Sequence, residues 1–459
     1  MAEAARSATT EPYRIPDVFR SAHDRGFTGL GLASNPDELL DPGTGRPVAP
    51  ESYSQATILK RRAPNADKTA TCTQLEALKS RAARVLGADP LVVQAVIGGM
   101  PALLQTNSRH AANFWSRNWF LSDREAVEEA GRRYGIPCVR MWCAIEERDP
   151  ESAGAYYCAE TNECVFWNTD YYGQLKSWAL GAAGAELARY DIHSIHGAVV
   201  EVDGRGVLII APTGTGKSTY TQFLAHIGRR DPQYRGRINS DDWVYVKDGI
   251  ATPSERHIYV RTNAVRDDLE ERAMPPDMRE LKRIFDRHPA ENVPVRGGRR
   301  FYGEVPNSRC MIDPAALAPV SYATPIDLVV LLRRDPHSPF EELLTTERAL
   351  DVLEEGQFTV QPGAGPKEDW GKLSNEPWYN PYLLRPDREF ERRMFASYPE
   401  KHGARYVIYN TSAEACAKEF GLARPVKALT PDDYRGFIEG TAGRMLRRLE
   451  EARPVRRAS

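Results

Sequence analysis

Apolar residues recur along this chain in two periods, and the changes between them mark out its elements. At helical spacing they predict helices over 73–86, 111–120 and 172–190. Trp115 and Trp119 stand four residues apart in the second of these, so that face is expected in the core. Short apolar or alternating runs predict strands at 91–97, 139–144, 155–158, 163–167, 196–202, 206–210, 328–332 and 406–409. Asp203-Gly204 joins two of them and is a hairpin signal, because the tight turn it favours needs positive φ. Asp149-Pro150 marks a further turn, and 361–371 reads as a Pro/Gly-rich loop before a charged helix near 385–397. The tail 444–459 carries charge at helical spacing and is expected to be a solvated, fraying helix. Residues 1–50, rich in Pro, Asp, Gly and Ser, predict an irregular arm. No internal repeat is visible.

One transition is more specific than the rest. The apolar run Val207 to Ile210 ends in Ala211-Pro212-Thr213-Gly214-Thr215-Gly216, then Lys217, Ser218 and Thr219 open a helical stretch. Buried strand, glycine-bearing turn and helix start, in that order, make a phosphate-binding loop. Gly214 and Gly216 let backbone N–H groups close on phosphate oxygens, and the helix start adds partial positive charge. Lys217 is placed to reach the β- and γ-phosphates, and the Ser218 hydroxyl to ligate Mg²⁺. Ala211 stands where the consensus has its first glycine.

Composition narrows the setting. A chain of 459 residues with 41% hydrophobic and 27% charged residues has room for about two to three soluble domains. The expected division is the arm 1–50, a substrate-side domain 51–195 and an ATP-binding domain 196–459. A net charge of −2 gives no reason to expect nucleic acid or an anionic membrane as partner. No apolar run reaches membrane-spanning length and the first ten residues lack a signal-peptide core, so a cytoplasmic location is expected. The seven cysteines are read as reduced thiols. Cys138, Cys143, Cys158 and Cys164 cluster without a common zinc spacing and are read as packing residues.

The phosphate loop does not by itself name a reaction. Asp241-Asp242 closes a short strand beyond it, and paired carboxylates can divide metal binding and proton abstraction. His196 opens the hairpin leading into the loop strand; His193 and His226 are read as structural. Arginines in 256–261 and 307–309 are candidates to neutralise a transferring phosphoryl group.

These residues carry a resemblance. The stretch from His196-Gly197 through Gly216-Lys217-Ser218 to Asp241-Asp242 resembles both the ATP-dependent phosphoenolpyruvate carboxykinases and the HPr kinase/phosphorylases. Tyr171-Tyr172-Gly173-Gln174-Leu175-Lys176 resembles the carboxykinase Tyr-Ala-Gly-Glu-Met-Lys motif, and Pro306-Asn307-Ser308-Arg309 its Glu-Asn-Thr-Arg motif. The segment 405–411 resembles the carboxykinase adenine-binding segment, and Arg62-Ala63-Pro64 its carboxylate-binding Arg-Ser-Pro. The resemblance runs from about 58 to 415. It implies an α/β (α+β) fold of carboxykinase type, two domains with a P-loop mononucleotide-binding domain on a mixed sheet. It implies Asp241, Lys217, Arg309 and His196 as catalytic, and Ser218, Asp242 and His196 as metal ligands. ATP would contact Thr213, Gly214, Thr215, Gly216, Lys217, Ser218, Thr219, Arg405 and Thr411; substrate would contact Arg62, Tyr171 and Lys176. The cofactors implied are ATP and Mg²⁺, or Mn²⁺.

One departure decides between activities. The family's second lysine, a metal ligand that serves decarboxylation, is Ser177 here. The expectation is therefore a kinase transferring the ATP γ-phosphoryl group to a hydroxyl of a small carboxylate-bearing metabolite, for example a hydroxy-amino acid. A divergent carboxykinase and an HPr-kinase-like protein serine kinase are the alternatives.

Overall fold

The computed structural model describes residues 68–120 except 89, 139–146, 153–304 except 268, 270, 271, 273, 297 and 298, then 308–360 and 367–452. Arg62, Cys138, Pro306, Asn307 and the arm 1–50 lie outside the described residues.

The first part of the chain runs β1 (Lys68–Thr69), α1 (Cys72–Leu86), β2 (Leu91–Ile97), β3 (Met100–Thr106), α2 (Arg109–Asn118), β4 (Val139–Ala144), β5 (Gly154–Cys158), β6 (Glu163–Trp167) and α3 (Tyr172–Leu187). Its strands form one mixed six-stranded sheet in the order β1-β5-β6-β4-β3-β2. Helix α1 covers one face and α2 and α3 the other.

The second part contains β7 (His193–Ile195), β8 (Ala198–Val202), β9 (Arg205–Ile210), α4 (Lys217–Ala225), α5 (Ile227–Arg230), β10 (Gly236–Ser240), β11 (Val244–Lys247), β12 (Ile250–Pro253) and β13 (Ile258–Arg261). Next come α6 (Pro276–Asp286), β14 (Ala290–Glu291), β15 (Val295–Arg296), β16 (Arg299–Arg300), β17 (Arg309–Ile312), β18 (Thr324–Arg333), β19 (Glu341–Leu344) and α7 (Thr346–Glu355). The last elements are β20 (Gln357–Thr359), β21 (Leu373–Asn375), α8 (Arg388–His402), β22 (Arg405–Asn410), α9 (Ala413–Glu419) and α10 (Pro431–Glu451). Strand β18 is the spine of a nine-stranded mixed sheet, with β9 and β22 parallel to it on either side. All its residues but Arg333 are buried, as the apolar run from Leu328 to Leu332 requires of a strand covered on both faces. Helices α4 and α10 pack on one face; α7 and α8 pack on the other.

The protein is thus a mixed α/β fold, and several expected elements take different bounds. Helix α2 starts at Arg109 because Ser108 caps it, its hydroxyl accepting from Ala111 N at 3.2 Å. Trp115 and Trp119 are fully buried and meet edge to face at 5.3 Å. Truncating Trp115 to Ala would cost about 3–5 kcal/mol. The expected strand 196–202 begins two residues later, at Ala198, which pairs with Ile209, and a separate strand precedes it, in which Ile195 pairs with Val244. His196 and Gly197 make the crossing, so β7 joins the second sheet although the sequence reading put it in the first domain. Over its described part, 444–452, the solvated tail is a correction. Helix α10 begins at Pro431 behind a Thr430–Asp433 capping box and buries Phe437, Met445 and Leu449 on the sheet. Of the clustered cysteines, Cys143, Cys158 and Cys164 are buried.

Helix α8 supplies a pH-sensitive element. Glu391 is 1% exposed, accepts Asn380 N at 2.7 Å and Arg388 Nη1 at 2.9 Å, and so pins the loop before the helix. Burial pushes its carboxyl up from 4.5 to about 7, against the opposing pull of Arg388. The folded protein therefore holds this proton more tightly than the unfolded chain. Stability is lost as pH rises from 4.5, and the loss is complete above about 7, worth about 3 kcal/mol. Glu391→Gln is expected to raise Tm at pH 8 and to flatten Tm against pH between 5 and 7. An unchanged slope in thermal melts would remove Glu391 as its source.

Candidate phosphate-binding site

The turn 211–216 leaves the carboxyl end of β9, and α4 begins directly at Lys217. Gly214 and Gly216 take φ of 86° and 111°, a region that side-chain-bearing residues rarely enter. Thr213, Gly214, Ser218 and Thr219 are exposed at the mouth of the turn, while Thr215 is buried beneath it. Thr411, just past β22, donates its hydroxyl to Thr215 O at 2.8 Å and so ties the turn to the neighbouring strand. Arg405 lies at the other end of β22, in register with Leu328 and 3.7 Å from Glu451. Five residues of strand, about 16 Å, separate it from the Asn410 end, so it is not brought to the turn.

The two aspartates at the end of β10 face different partners. Ser218 Oγ donates to Asp241 Oδ2 at 3.1 Å, while Asp241 Oδ1 is buried without a partner. Burial raises the Asp241 carboxyl to about 6, with Lys217 pulling against it. The sequence reading put Asp242 with Ser218 on the metal; the hydrogen bond runs to Asp241. Asp242 instead receives Lys217 Nζ at 2.9 Å and His196 Nε2 at 3.2 Å on one oxygen, and Lys176 Nζ at 3.1 Å on the other. Burial works to raise Asp242, but Lys217 and then Lys176 hold it well below the usual carboxylate value. Its side chain keeps 38% exposure, so it can be reached from solvent. Burial, then Lys217, lowers His196, which keeps the ring neutral near pH 7.

Lys176 joins this cluster from the first turns of α3. Its ammonium is 3% exposed and also bonds Glu255 Oε2 at 3.1 Å, while Glu255 Oε1 accepts Asn118 Nδ2 at 2.9 Å. Burial would lower Lys176, but Glu255 and Asp242 raise it, so it is charged. The Ser177 hydroxyl turns away and donates to Gly173 O at 2.8 Å within its own helix.

Strands β13 and β17 complete the site. Arg261 stands directly opposite Arg309 in their register. Like charges placed so repel, and Arg261 is lowered first by burial and then by Arg309. The Tyr259 ring carries Lys176 Nζ at 5.7 Å and Arg309 Cζ at 5.9 Å from its centre. Its phenol donates to buried Glu291, which also accepts Tyr172 N at 3.0 Å and lies 2.5 Å from His110 Nε2. Tyr171, at the residue before α3, acts electrostatically on Arg261. The sequence reading missed Glu255 and Glu291; Glu255 falls next to the Arg-bearing segment 256–261 that it marked, and Arg261 ends that segment.

Tyr382 closes one side, its ring edge-on to His196 at 4.8 Å. It can sit there because α3 has Gly181 at the contact, where a Cβ would lie 2.3 Å from Tyr382 O. Gly181→Ala should therefore destabilise by about 1–3 kcal/mol, although alanine is the better helix former by roughly 1 kcal/mol. A variant more stable than the parent in thermal melts would show that the loop does not rest on the helix.

Among the described residues no three His, Cys, Asp or Glu side chains form a metal cluster of their own, and no helix is long and apolar enough to cross a membrane. The chain matches no protein-family model and no curated protein.

Proposed function

We propose that the chain is an ATP-dependent phosphotransferase acting on a hydroxyl of a small carboxylate-bearing metabolite. One observation carries this reading: a strand-turn-helix with Lys217 and Ser218 at the helix start meets two aspartates held in unlike environments. The turn and the amino end of α4 receive the phosphates. Mg²⁺ fits at Ser218 and Asp241, because that carboxylate has one buried oxygen without a partner. Bound there, the ion would withdraw charge from the phosphates. Arg261 and Arg309, forced together across two strands, are relieved by an anion between them and take the charge of the transferring group.

Asp242 is the base, and the two carboxylates so exchange the roles the sequence suggested. When Lys176 moves from Asp242 to the carboxylate of the acceptor, Asp242 Oδ2 is released to take the hydroxyl proton. The hydroxyl oxygen bonds to the γ-phosphorus, the bond from that phosphorus to the bridging oxygen breaks, and ADP leaves with the electron pair. Lys217 stays on the phosphates throughout. The carboxykinase alternative is disfavoured by Ser177, whose hydroxyl is committed to Gly173 O rather than to Asp242.

Phosphorus NMR of the protein with ATP and Mg²⁺, against a pool of hydroxy acids and hydroxy-amino acids, tests the reading. A new phosphomonoester that requires the acceptor supports it. Phosphoenolpyruvate formed only from oxaloacetate would establish the carboxykinase instead, and labelling of a protein band in lysate the protein kinase.

A further inference from the structure

A second cleft opens at the carboxyl edge of the nine-stranded sheet, on the face covered by α7 and α8 rather than the face of α4. The cavity itself is about 70 Å³ and widens to about 490 Å³ when the solvent at its mouth is counted. Arg333 from the end of β18 and Arg348 from α7 line it with Phe358, Trp378, Val352 and Ile408. None of these belongs to the phosphate-binding turn or to the lysine and aspartate cluster.

Two polar groups in the lining have unmet needs. Arg333 Nε and Trp378 Nε1 are buried donors without an acceptor, and Trp378 as a whole is 7% exposed. A buried donor left so costs about 1–3 kcal/mol, which an acceptor on a ligand would recover. The charges lean the same way. Burial lowers Arg333, and Arg348 adds a like charge nearby. The carboxylates that answer them are exposed to water: Glu342 pairs with Arg333 at 3.7 Å and 42% exposure, and Glu355, itself in the lining, with Arg348 at 3.5 Å and 59%. Asp335, also at the cleft, spends its oxygens on Ser338 and on His337 N.

We propose that this cleft binds a small aromatic anion, its ring against Phe358 and Trp378 and its carboxylate or phosphate group on Arg333 and Arg348. The site bears on the phosphate turn through the backbone. Arg333 O accepts Thr411 N at 2.8 Å, and the Thr411 hydroxyl holds Thr215 O. An occupant that orders Arg333 therefore acts on the strand end that fixes the turn. The binding itself does not depend on the phosphotransferase reading.

The test uses the full chain labelled with ¹⁵N-tryptophan, its Trp378 indole resonance assigned by Trp378→Phe. Phenyl phosphate and benzoate are titrated separately, which distinguishes the two anionic groups. The Trp378 indole resonance should shift saturably with at least one probe. Arg348→Ala, a change at a half-exposed side chain, should weaken binding roughly tenfold or more, and Arg333→Met should do the same. Lys217→Ala should leave the shift intact. No shift with either probe, parental affinity in both arginine variants, or loss of the shift in Lys217→Ala would each overturn the proposal, the last by placing the probe on the phosphate turn.

Discussion

Lys217→Ala is expected to lower ATP-dependent phosphoryl transfer about a thousandfold, the scale of losing one preorganised cationic donor in a partly dry site. Lys217 is 12% exposed and reaches Asp242 and His196 without a ligand, so its ammonium is already held at the mouth of the turn. The variant should remain folded, since Asp242 keeps Lys176 at 3.1 Å and is itself reachable by water. Turnover measured by phosphorus NMR should fall while the thermal melt moves little. Activity within tenfold of the parent would show that the phosphates do not sit on this turn.

The second large effect separates the aspartates. Asp242→Asn should cut turnover by about 10²–10⁴, the usual contribution of a positioned base, with ATP affinity little altered. Asp241→Asn should instead raise the Mg²⁺ needed for half-maximal rate, and excess Mg²⁺ should recover much of the loss. The lysines hold Asp242 ionised well below neutrality, so its protonation should not slow turnover between pH 7 and pH 5. Magnesium titrations of both variants decide the matter. The reverse pattern would make Asp241 the base and return Asp242 to the metal.

What the sequence made visible follows from how local each signal is. The strand, turn and helix at 207–225 are written in consecutive residues, because apolar run, glycines and Lys-Ser all act within a few positions of one another. The aspartate pair is visible for the same reason. Their unlike surroundings are not, because they depend on which lysine arrives from α3, 66 positions earlier. Arg261 and Arg309 come together only through the register of β13 with β17, and no spacing in either segment announces it. Glu291 lies in a two-residue strand, too short for a periodic signal. Arg405 shows the converse. A seven-residue match in sequence stretches along a strand, so its two ends reach opposite edges of one sheet. Helix α7 was not read at all, although Thr345 caps it and Gly356 ends it.

The bare helix surface at Gly181 has a consequence for how this sequence can drift. The same contact extends to Gly184, where a Cβ would lie 2.5 Å from Ser194 Oγ. Ser194 also accepts the Trp243 indole, and its carbonyl takes Asn380 Nδ2, so helix, strand and loop are shimmed to one another without slack. A side chain gained at 181 or 184 is tolerable only if 382–384 or 194 has already receded, and neither step is favourable alone. Substitutions there should enter as pairs, and a double-mutant cycle across positions 184 and 194, where the contact is with a side chain, should show a coupling of roughly 0.5–3 kcal/mol. Change at this seam is a matter of order, because the loop must yield before the helix can grow a methyl group.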